Sequence, residues 1–458
     1  MASYLSRRMD CRIQYCSVFF IAGIISGCGL TRPVPLPSVA EAVSGGDAVQ
    51  LATQAKAVSL AALAPHAVDL SQPLSDMDIA LLAVVGNRDL RAMRARQGVA
   101  DAQVFSAGLL PDLQISASLD RPLQAGFVTA WSAALGFDLA ALFGLKSARD
   151  EASFAARQVH YEIAWQEWVM ANQARTLTRQ YGYLRAERDL ANAAAEVAEK
   201  REARMAKSIA RHDARLDDAA LAQIAALDAR DREKSLSRQI IAARLNILAL
   251  LGLPPGFDIQ IATPTSLRPL DAVASATQLL ESAVAERLDF LGLRAGYASN
   301  AAALRHARWG AFPFPTLGIT RARDNSNVKS RGFSLGLSLP LWNRNRGAVR
   351  IAAATRAQLR EEYSARLFQA SVDLGTLLAD MRAIVDERGA LDARLPRLAQ
   401  DVATLAQAVD RGDLPYLSYE TVRASLLDKQ IVQLGLAQAE AEDEVALETA
   451  TGKLLWKD

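Results

Sequence analysis

The chain has 458 residues, of which 51% are hydrophobic and 22% are charged, a composition that excludes a disordered protein and supplies a large core. Its 52 lysines and arginines nearly balance its 50 aspartates and glutamates, so no nucleic-acid partner and no acidic tail are predicted. Aromatic residues make up only 6%, while alanine and leucine recur among charged residues, as is typical of long packed helices.

The N-terminus has the pattern of an export signal. Arg7, Arg8 and Arg12 form a positively charged segment, and a short apolar run follows at residues 17–25. The run is too short to span a membrane as a helix. We therefore expect residues 1–27 to be a signal peptide that directs the chain out of the cytoplasm.

The apolar run ends in Ile-Ser-Gly-Cys at residues 25–28, which resembles a bacterial lipobox. The resemblance implies that Cys28 becomes the lipidated first residue, and Gly29, where an inner-membrane lipoprotein would carry aspartate, implies the outer membrane of a Gram-negative bacterium. An ordinary signal peptide with a chance cysteine is the alternative, and translation from Met1 or Met9 fits both. Residues 28–75, which begin rich in Pro, Ser and Gly, are expected to be a lipid-anchored tether.

The remainder of the chain contains an internal repeat. Residues 87–95 (NRDLRAMRA) return as residues 287–295 (RLDFLGLRA), an offset of 200. Residues 110–115 (LPDLQI) match residues 314–319 (FPTLGI) at an offset of 204, which indicates a four-residue insertion. The pattern predicts that one structural unit occurs twice.

We expect the first repeat at residues 76–268 and the second at residues 269–458. Each is predicted to hold a helical stretch, one β-hairpin and two further helices, in that order. The predicted helical stretches are residues 76–109 and 274–309, and the predicted hairpins are residues 112–141 and 315–341.

The helix after each hairpin carries a heptad pattern. Apolar residues recur every seven positions, which predicts a coiled-coil seam. They are Ile163, Met170, Leu177, Leu184, Ala191, Ala198 and Met205 in the first repeat, and Leu367, Leu374, Met381, Leu395, Val402 and Val409 in the second, with Arg388 as the exception. A helix over residues 146–210 would be about 100 Å long. A cytoplasmic coiled-coil dimer fits the heptads but not the export signal.

The predicted hairpins consist of strands with two unlike faces. In residues 333–339 (FSLGLSL) apolar residues alternate strictly with small or polar ones. Each strand of about nine or ten residues is long enough to cross a bilayer when tilted. Four strands cannot close a barrel, but three chains would supply twelve. The alternative is a half-buried sheet in a soluble protein.

Together these features resemble the TolC family of outer-membrane factors over residues 76–456. Residues 339–347 (LPLWNRNRG) are similar to the family's exit from the second hairpin, closest to its heavy-metal efflux branch. Residues 409–414 (VDRGDL) are similar to the family's turn between two periplasmic helices, where glycine supports the reversal. In the matching residues 209–214, His212 replaces that glycine, which leaves the geometry of the first turn open.

The resemblance implies a mainly α fold with a transmembrane β-barrel portion. It implies a homotrimer that forms a 12-stranded barrel in outer-membrane lipid and an α-helical barrel in the periplasm. It also implies two protein partners, a periplasmic adaptor (membrane fusion protein) and an inner-membrane pump, and no cofactor. The periplasmic tip and gate candidates are Arg211, His212, Asp213, Asp410, Arg411, Gly412 and Asp413. Asp410 and Asp413 would form an acidic ring at a constriction, unless this is only a solvated polar turn.

The function expected from this resemblance is a passive outer-membrane channel in a tripartite efflux system of the RND type. The four histidines have no metal-ligand spacing, and no glycine-rich phosphate loop follows a strand, so neither an enzyme nor a metal site is predicted. Two alternatives stay open: a channel for type I protein secretion, and a periplasmic coiled-coil adaptor or scaffold lipoprotein. The exported substrate cannot be identified from this sequence, because the pump selects it.

Overall fold

The computed structural model describes residues 34–263, 267–269 and 273–456. The expected signal peptide at residues 1–27 and the expected lipidation site Cys28 lie outside the described residues. The described chain divides into one unit that ends at Gly45 and another that runs from Gly46 onward. In the first unit, helix α1 (Val39–Val43) begins at Ser38, whose side chain and Glu41 form a capping box.

The second unit is mainly helical, as predicted. The helices that precede and follow the first pair of strands are α2 (Ala48–Gln54), α3 (Asp76–Gly86), α4 (Arg88–Ala107), α5 (Ala140–Ala210) and α6 (Leu216–Leu250). Those around the second pair are α7 (Ala276–Glu286), α8 (Leu288–Trp309), α9 (Arg346–Asp392), α10 (Leu395–Asp410) and α11 (Tyr416–Thr451). The strands are β1 (Gln114–Asp120), β2 (Ala130–Asp138), β3 (Pro315–Arg323) and β4 (Lys329–Leu337). Short 3₁₀ turns occupy Ala55–Ala57 and Ala61–Leu63.

Helix α2 and the segment that connects it to α3 are packed rather than extended. Leu51, Ala55, Leu63 and Leu74 are buried in a core that also contains α3, α5 and the end of α6. Burial of these apolar side chains stabilises the segment against the helices. The expected tether of residues 28–75 therefore does not reach residue 75, because its second half belongs to the packed unit.

Each predicted helical stretch before a hairpin is divided into two helices. Asn87 leaves the helical conformation with ψ 127°, and its side-chain oxygen caps α4 by accepting from the N–H groups of Asp89 and Leu90. Arg287, 200 positions later, leaves it with ψ 130°. A continuous helix was predicted at both places, because the helical periodicity continues across a single extended residue.

The order of elements that starts with α3 occurs again from α7. Three pairs of helices begin 200 residues apart: α3 and α7, α4 and α8, and α6 and α11. The contacts correspond as well. Asn87 Nδ2 donates to the carbonyl oxygen of Leu250, and Arg287 Nη1 donates to that of Ala450. These carbonyls belong to the last turns of α6 and α11. The two helices are followed by Gly252 and Gly452, which both have the positive φ of a helix C-terminus.

The heptad residues lie inside the helix packing. α5 is continuous over 71 residues, and the heptad residues of both repeats are buried or half-buried. In the second repeat the helix is interrupted between Asp392 and Leu395, because Pro396 lacks an N–H and clashes with the carbonyl four residues earlier. Arg388, the exception in the heptads, donates through Nε to Glu440 of α11 at 2.6 Å, so it replaces an apolar contact with an ion pair.

The strands form a single antiparallel sheet in the order β1-β2-β3-β4. The hairpins predicted at residues 112–141 and 315–341 are therefore present, although β1 has seven residues rather than nine or ten. Near the sheet the neighbouring helices are α4, α5, α8 and α9, and each of these four is connected directly to a strand. Farther from the sheet the helices lie side by side in the order α6, α5, α11 and α9. Among the described residues, no helix is both long and apolar enough to cross a membrane.

Candidate functional site: the two-faced sheet and the helix-pair tips

One face of the sheet is apolar. The register aligns Ile115, Leu135, Ile319 and Phe333 in one row across all four strands. Next to this row lie Phe137, Leu317 and Leu335. On β1, β3 and β4 these side chains are exposed to a degree unusual for such residues, with Phe333 94% and Ile115 81% exposed, whereas Leu135 and Phe137 on β2 are half-buried. We call this the apolar face; a patch of this extent marks a surface that another apolar phase covers.

The opposite face is small and polar. It carries Gln114, Ser116, Ser118, Ser132, Ala134, Gly136, Asp138, Thr316, Gly318, Thr320, Ser330, Gly332, Ser334 and Gly336. Ser118 and Ser132 hydrogen-bond to each other at 2.8 Å, and Thr320 Oγ1 donates to the carbonyl oxygen of Gly332 at 3.3 Å. This polar face suits contact with water, and the two faces of the sheet differ as the alternating pattern predicted.

The sheet and the helices have free edges on both sides. β1 and β4 each pair with one neighbour only, which leaves a row of backbone donors and acceptors on each outer side. In the helical part, α6 packs on α5 while its residues Leu221, Ile224 and Leu227 stay exposed. Phe368 of α9, on the other side of the row, is 72% exposed.

Each pair of long helices ends in a tight turn at the far end from the sheet. After α10, Gly412 has φ +81°, and the N–H of Asp413 donates to the carbonyl oxygen of Ala408. After α5, His212 has φ +63°, and the N–H of Asp213 donates to the carbonyl oxygen of Ser208. The first turn therefore has the geometry of the second, although a histidine occupies the left-handed conformation that favours glycine.

We expect His212→Gly to raise the free energy of unfolding by about 1 kcal/mol, because it removes the steric cost of a side chain at positive φ. The reciprocal change Gly412→Ala should destabilise by a similar amount. Thermal unfolding of the two purified variants measures both effects. A destabilising His212→Gly would mean that the imidazole makes a stabilising contact in the assembled protein.

The predicted tip residues are exposed, and their charges are partly paired. Arg411 Nε lies 2.9 Å from Asp413 Oδ2, which reduces the negative charge that Asp413 contributes to its turn. Asp410, Arg211 and Asp213 are exposed. The structure thus places the seven tip candidates in two equivalent turns, three in the first and four in the second, and Asp410 is a more available carboxylate than Asp413.

A contact between the two helix pairs near their tips was not predicted. The guanidinium of Arg204 on α5 lies 3.1 Å from the ring centroid of Tyr416, the first residue of α11. One turn farther, Glu420 is 1% exposed, and neither of its carboxylate oxygens accepts a hydrogen bond within the described residues. Burial raises the pKa of Glu420 above its usual value, while Arg423 and Arg204 oppose the shift.

A buried network of ion pairs joins α3, α5 and α11 in the middle of the long helices. Arg175 Nη1 lies 2.6 Å from Glu448 Oε2, and Arg179 Nη1 lies 2.7 Å from Glu444 Oε2. Asp76 at the start of α3 contacts both arginines, at 3.4 and 3.1 Å. The two glutamate side chains are each 3% exposed, so the network holds α3, α5 and α11 in one arrangement.

A carboxylate outside this network is unfavourably placed. Burial raises the pKa of Asp443 on α11 to about 6, and Asp380 and Glu442 add to the shift by repulsion. The folded state thus holds a proton that the unfolded state releases near pH 4, so stability falls as the pH rises from about 4 to about 6.

We therefore expect Asp443→Asn to raise the melting temperature at pH 7.5 and to have little effect at pH 3, where Asp443 is mostly protonated in both states. The full shift corresponds to about 3 kcal/mol, and solvent screening of this half-exposed side chain reduces the expected gain to about 1–2 kcal/mol. Asp428→Asn on the same helix is the control, since the Asp428 side chain is 65% exposed. Equal gains at both pH values would contradict the assignment.

The histidines occur at separate places. His66 lies 2.8 Å from Asp78, and accepting groups at Ala64 and Asp78 raise the pKa of the His66 imidazole. His160 lies 3.3 Å from Asp101, and His306 Nδ1 lies 3.3 Å from the carbonyl oxygen of Gly144. In the part of the chain that the structure describes, no three His, Cys, Asp or Glu side chains are grouped to hold a metal ion.

No protein-family model matches the chain, and no curated protein matches it. Solved structures do match over most of its length. CusC, whose structures concern transmembrane channel formation, is similar with a TM-score of 0.67 at 19% identity, over 82% of this chain and 92% of that one.

Two further structures show the same similarity. The outer-membrane protein VceC from Vibrio cholerae matches with a TM-score of 0.66 at 18% identity, over 82% of this chain and 96% of that one. The outer-membrane channel CmeC from Campylobacter jejuni matches with a TM-score of 0.69 at 13% identity, over 94% and 96% of the two chains. At these identities the similarity establishes the fold.

Proposed function

We propose that this chain, which has the fold of the TolC-like outer-membrane factors, is the outer-membrane channel component of a tripartite efflux system. The observation that carries the proposal is the sheet, which has one apolar and one small polar face and two unpaired edges. In lipid, unpaired backbone groups cost several kcal/mol each, so the edges must pair with other chains.

Three copies joined from β4 to β1 would close a twelve-stranded barrel, with the apolar face toward lipid and the polar face toward a water-filled lumen. The same arrangement would bring α6 of one copy beside α9 of the next and cover their exposed apolar residues. The helices would then form a second barrel in the periplasm, built from two tandem repeats per chain. Transport is passive in this arrangement, because the inner-membrane pump supplies the energy.

The helix-pair tips are the proposed docking surface for a periplasmic adaptor and an inner-membrane pump. They comprise residues 211–214 and 411–414, which lie at the end of the helices away from the sheet. Because Arg204 of one pair contacts Tyr416 of the other, movement of one tip would be transmitted to the other. Small molecules or metal ions are the proposed cargo, as the similarity of residues 339–347 to the heavy-metal branch suggests.

Reconstitution tests the channel. Purified mature protein should be trimeric in detergent and should conduct ions across planar bilayers. Protein that stays monomeric and gives no conductance would refute the proposal and favour the periplasmic scaffold. A secreted-protein gene and an ABC transporter gene beside this one would favour type I secretion instead, whereas adaptor and RND-type pump genes would support efflux.

The lipid anchor is a separate part of the proposal. Acylation of Cys28 would hold the N-terminus in the membrane, where the barrel is held independently by its apolar face. Mass spectrometry of the mature N-terminal peptide should show a diacylglyceryl group on Cys28. Cys28→Ser should abolish the modification while trimers still form. If the unacylated protein were wholly soluble in the periplasm, the barrel would be refuted and the periplasmic scaffold would be favoured.

We expect Asp410→Asn to shift the conductance toward equal permeability of cations and anions, because three exposed Asp410 carboxylates would line the narrow end of the trimer. Asp413→Asn should have a smaller effect, since Arg411 already offsets part of the charge of Asp413. Asp401→Asn, an exposed carboxylate on α10 away from the tip, is the control. Reversal potentials in a salt gradient measure the selectivity, and an effect of Asp401→Asn as large as that of Asp410→Asn would refute the ring.

A further inference from the structure

The apolar face ends in four basic side chains. Arg321 and Arg323 on β3 face Arg331 and Lys329 on β4, and all four share the face of Ile319 and Phe333. They occupy the two register rows nearest the turn at residues 324–328, at the end of the sheet away from the helices. We call these four residues the basic patch.

The pairing of like charges in the basic patch is unfavourable in the isolated chain. Arg321 lies directly opposite Arg331, and Arg323 lies directly opposite Lys329. Like charges at opposite positions of an antiparallel pair destabilise it. Asp324, the acid nearest in sequence, accepts hydrogen bonds from the N–H groups of Ser326 and Val328 in the turn. Within the described residues, no ion pair to these four side chains offsets the repulsion.

Arg323 shows an unused donor in the basic patch. Its Nη2 donates to the carbonyl oxygen of Thr129 at 2.9 Å, which fixes the guanidinium at the end of the sheet away from the helices. Its Nε is buried and has no hydrogen-bond acceptor within the described residues. A buried donor without an acceptor costs free energy, so hydrogen bonds within the chain do not satisfy the Arg323 guanidinium completely.

A groove on the same face leads to the basic patch. Its volume is about 490 Å³, and Arg321 and Arg331 lie at one end of it. The rest of the lining is mainly apolar: Ile115, Ala133, Leu135, Ile319 and Phe333. Ala117 and Ala133 are paired in the row of Arg321 and Arg331, and their short side chains leave the groove open. An apolar groove with a cationic end matches an amphiphile with a hydrocarbon chain and an anionic head.

We propose that the groove and the basic patch bind a phosphorylated glycolipid of the outer leaflet, with an acyl chain against Ile319 and Phe333 and a phosphate between Arg321 and Arg331. This inference rests on the proposed function, in which the apolar face meets lipid and the turn at residues 324–328 faces outward. Arginine guanidinium groups bind phosphate in a bidentate manner, and basic pockets at membrane interfaces bind lipid head groups.

Native mass spectrometry of the detergent-solubilised trimer with bisphosphorylated lipid A tests the proposal. The wild type should retain lipid A, and the double variant Arg321→Gln/Arg331→Gln should bind it at least tenfold more weakly. The double variant Arg382→Gln/Arg397→Gln is the matched control, because it removes two exposed arginines from α9 and α10. Arg321→Lys/Arg331→Lys keeps the charge and should bind with an intermediate affinity, which keeps the test valid if the glutamine variant does not assemble.

Two ligand controls separate the sources of phosphate. Dephosphorylated lipid A should bind at least tenfold more weakly than the bisphosphorylated form, and inorganic phosphate at the same concentration should not displace the lipid. Equal binding of lipid A by the wild type and the glutamine variant would overturn the proposal, as would displacement by inorganic phosphate. Conductance distinguishes the two hypotheses: a wild-type channel that conducts but binds no lipid A refutes only this inference, whereas a wild type without conductance refutes the proposed function.

Discussion

Replacing Arg175 with methionine is expected to lower the free energy of unfolding by about 3–5 kcal/mol, because it leaves the Glu448 carboxylate buried without its cation. The Glu448 side chain is 3% exposed and lies 2.6 Å from Arg175 Nη1, so water does not replace the lost partner. The loss would appear as a lower melting temperature of the purified protein and as easier proteolysis between the two repeats.

Two further variants separate the ion pair from other effects of the substitution. Arg175→Met/Glu448→Gln removes both charges and should recover most of the lost stability, since the amide can still accept the hydrogen bond that Leu455 N–H donates to Glu448 Oε1. Arg188→Met on the same helix is the control: Arg188 pairs with Asp189 at 2.6 Å, but the pair is exposed, and its loss should cost about 1 kcal/mol or less. Equal destabilisation by Arg175→Met and Arg188→Met would show that burial of the network does not matter.

The second large effect is expected on the sheet. Phe333→Lys should prevent stable insertion, because each chain would place a cation at mid-strand on the apolar face, at a cost of about 2–4 kcal/mol per chain. Phe333 lies in the row with Ile319, and both contribute to the proposed lipid contact. The predicted outcome is loss of trimers from the membrane fraction and loss of conductance.

The neighbouring residue supplies a matched control. Ser334 belongs to the polar face, and Ser334→Lys places the same charge one position away on the other side of the sheet. The Ser334→Lys protein should insert and conduct, with a shift toward anion selectivity because the new charges line the proposed lumen. If both variants inserted equally well, the two faces would not contact different media, and the barrel would be refuted.

Local sequence patterns predicted much of the fold. Apolar residues at heptad spacing, among them Ile163 and Leu184, predicted the long helices, because the spacing of apolar side chains determines which face of a helix is buried. The alternation in residues 333–339 predicted a two-faced strand for the same reason. Both signals are properties of consecutive residues, so they are visible without knowledge of the partners.

The misses and corrections concern contacts between distant residues. Arg287 interrupts a continuous helical pattern because its guanidinium reaches the carbonyl oxygen of Ala450, which no local pattern reveals. Arg204 and Tyr416 meet near the tips only because α5 and α11 are neighbours in the bundle. The segment around Leu51 was expected to be part of a tether. Its burial was missed because it depends on contacts with α3 and α6, which are distant in the sequence.

The order of side chains along the chain was sufficient to predict the heptad spacing of the helix after each hairpin, the two unlike faces of the strands and the internal repeat of the sequence. Tertiary structure decided how His212 adopts the turn geometry of Gly412, which carboxylates are neutralised by arginines, and how basic side chains collect at one end of the apolar face. These features depend on distances between strands and helices, and such distances are set only when the elements pack.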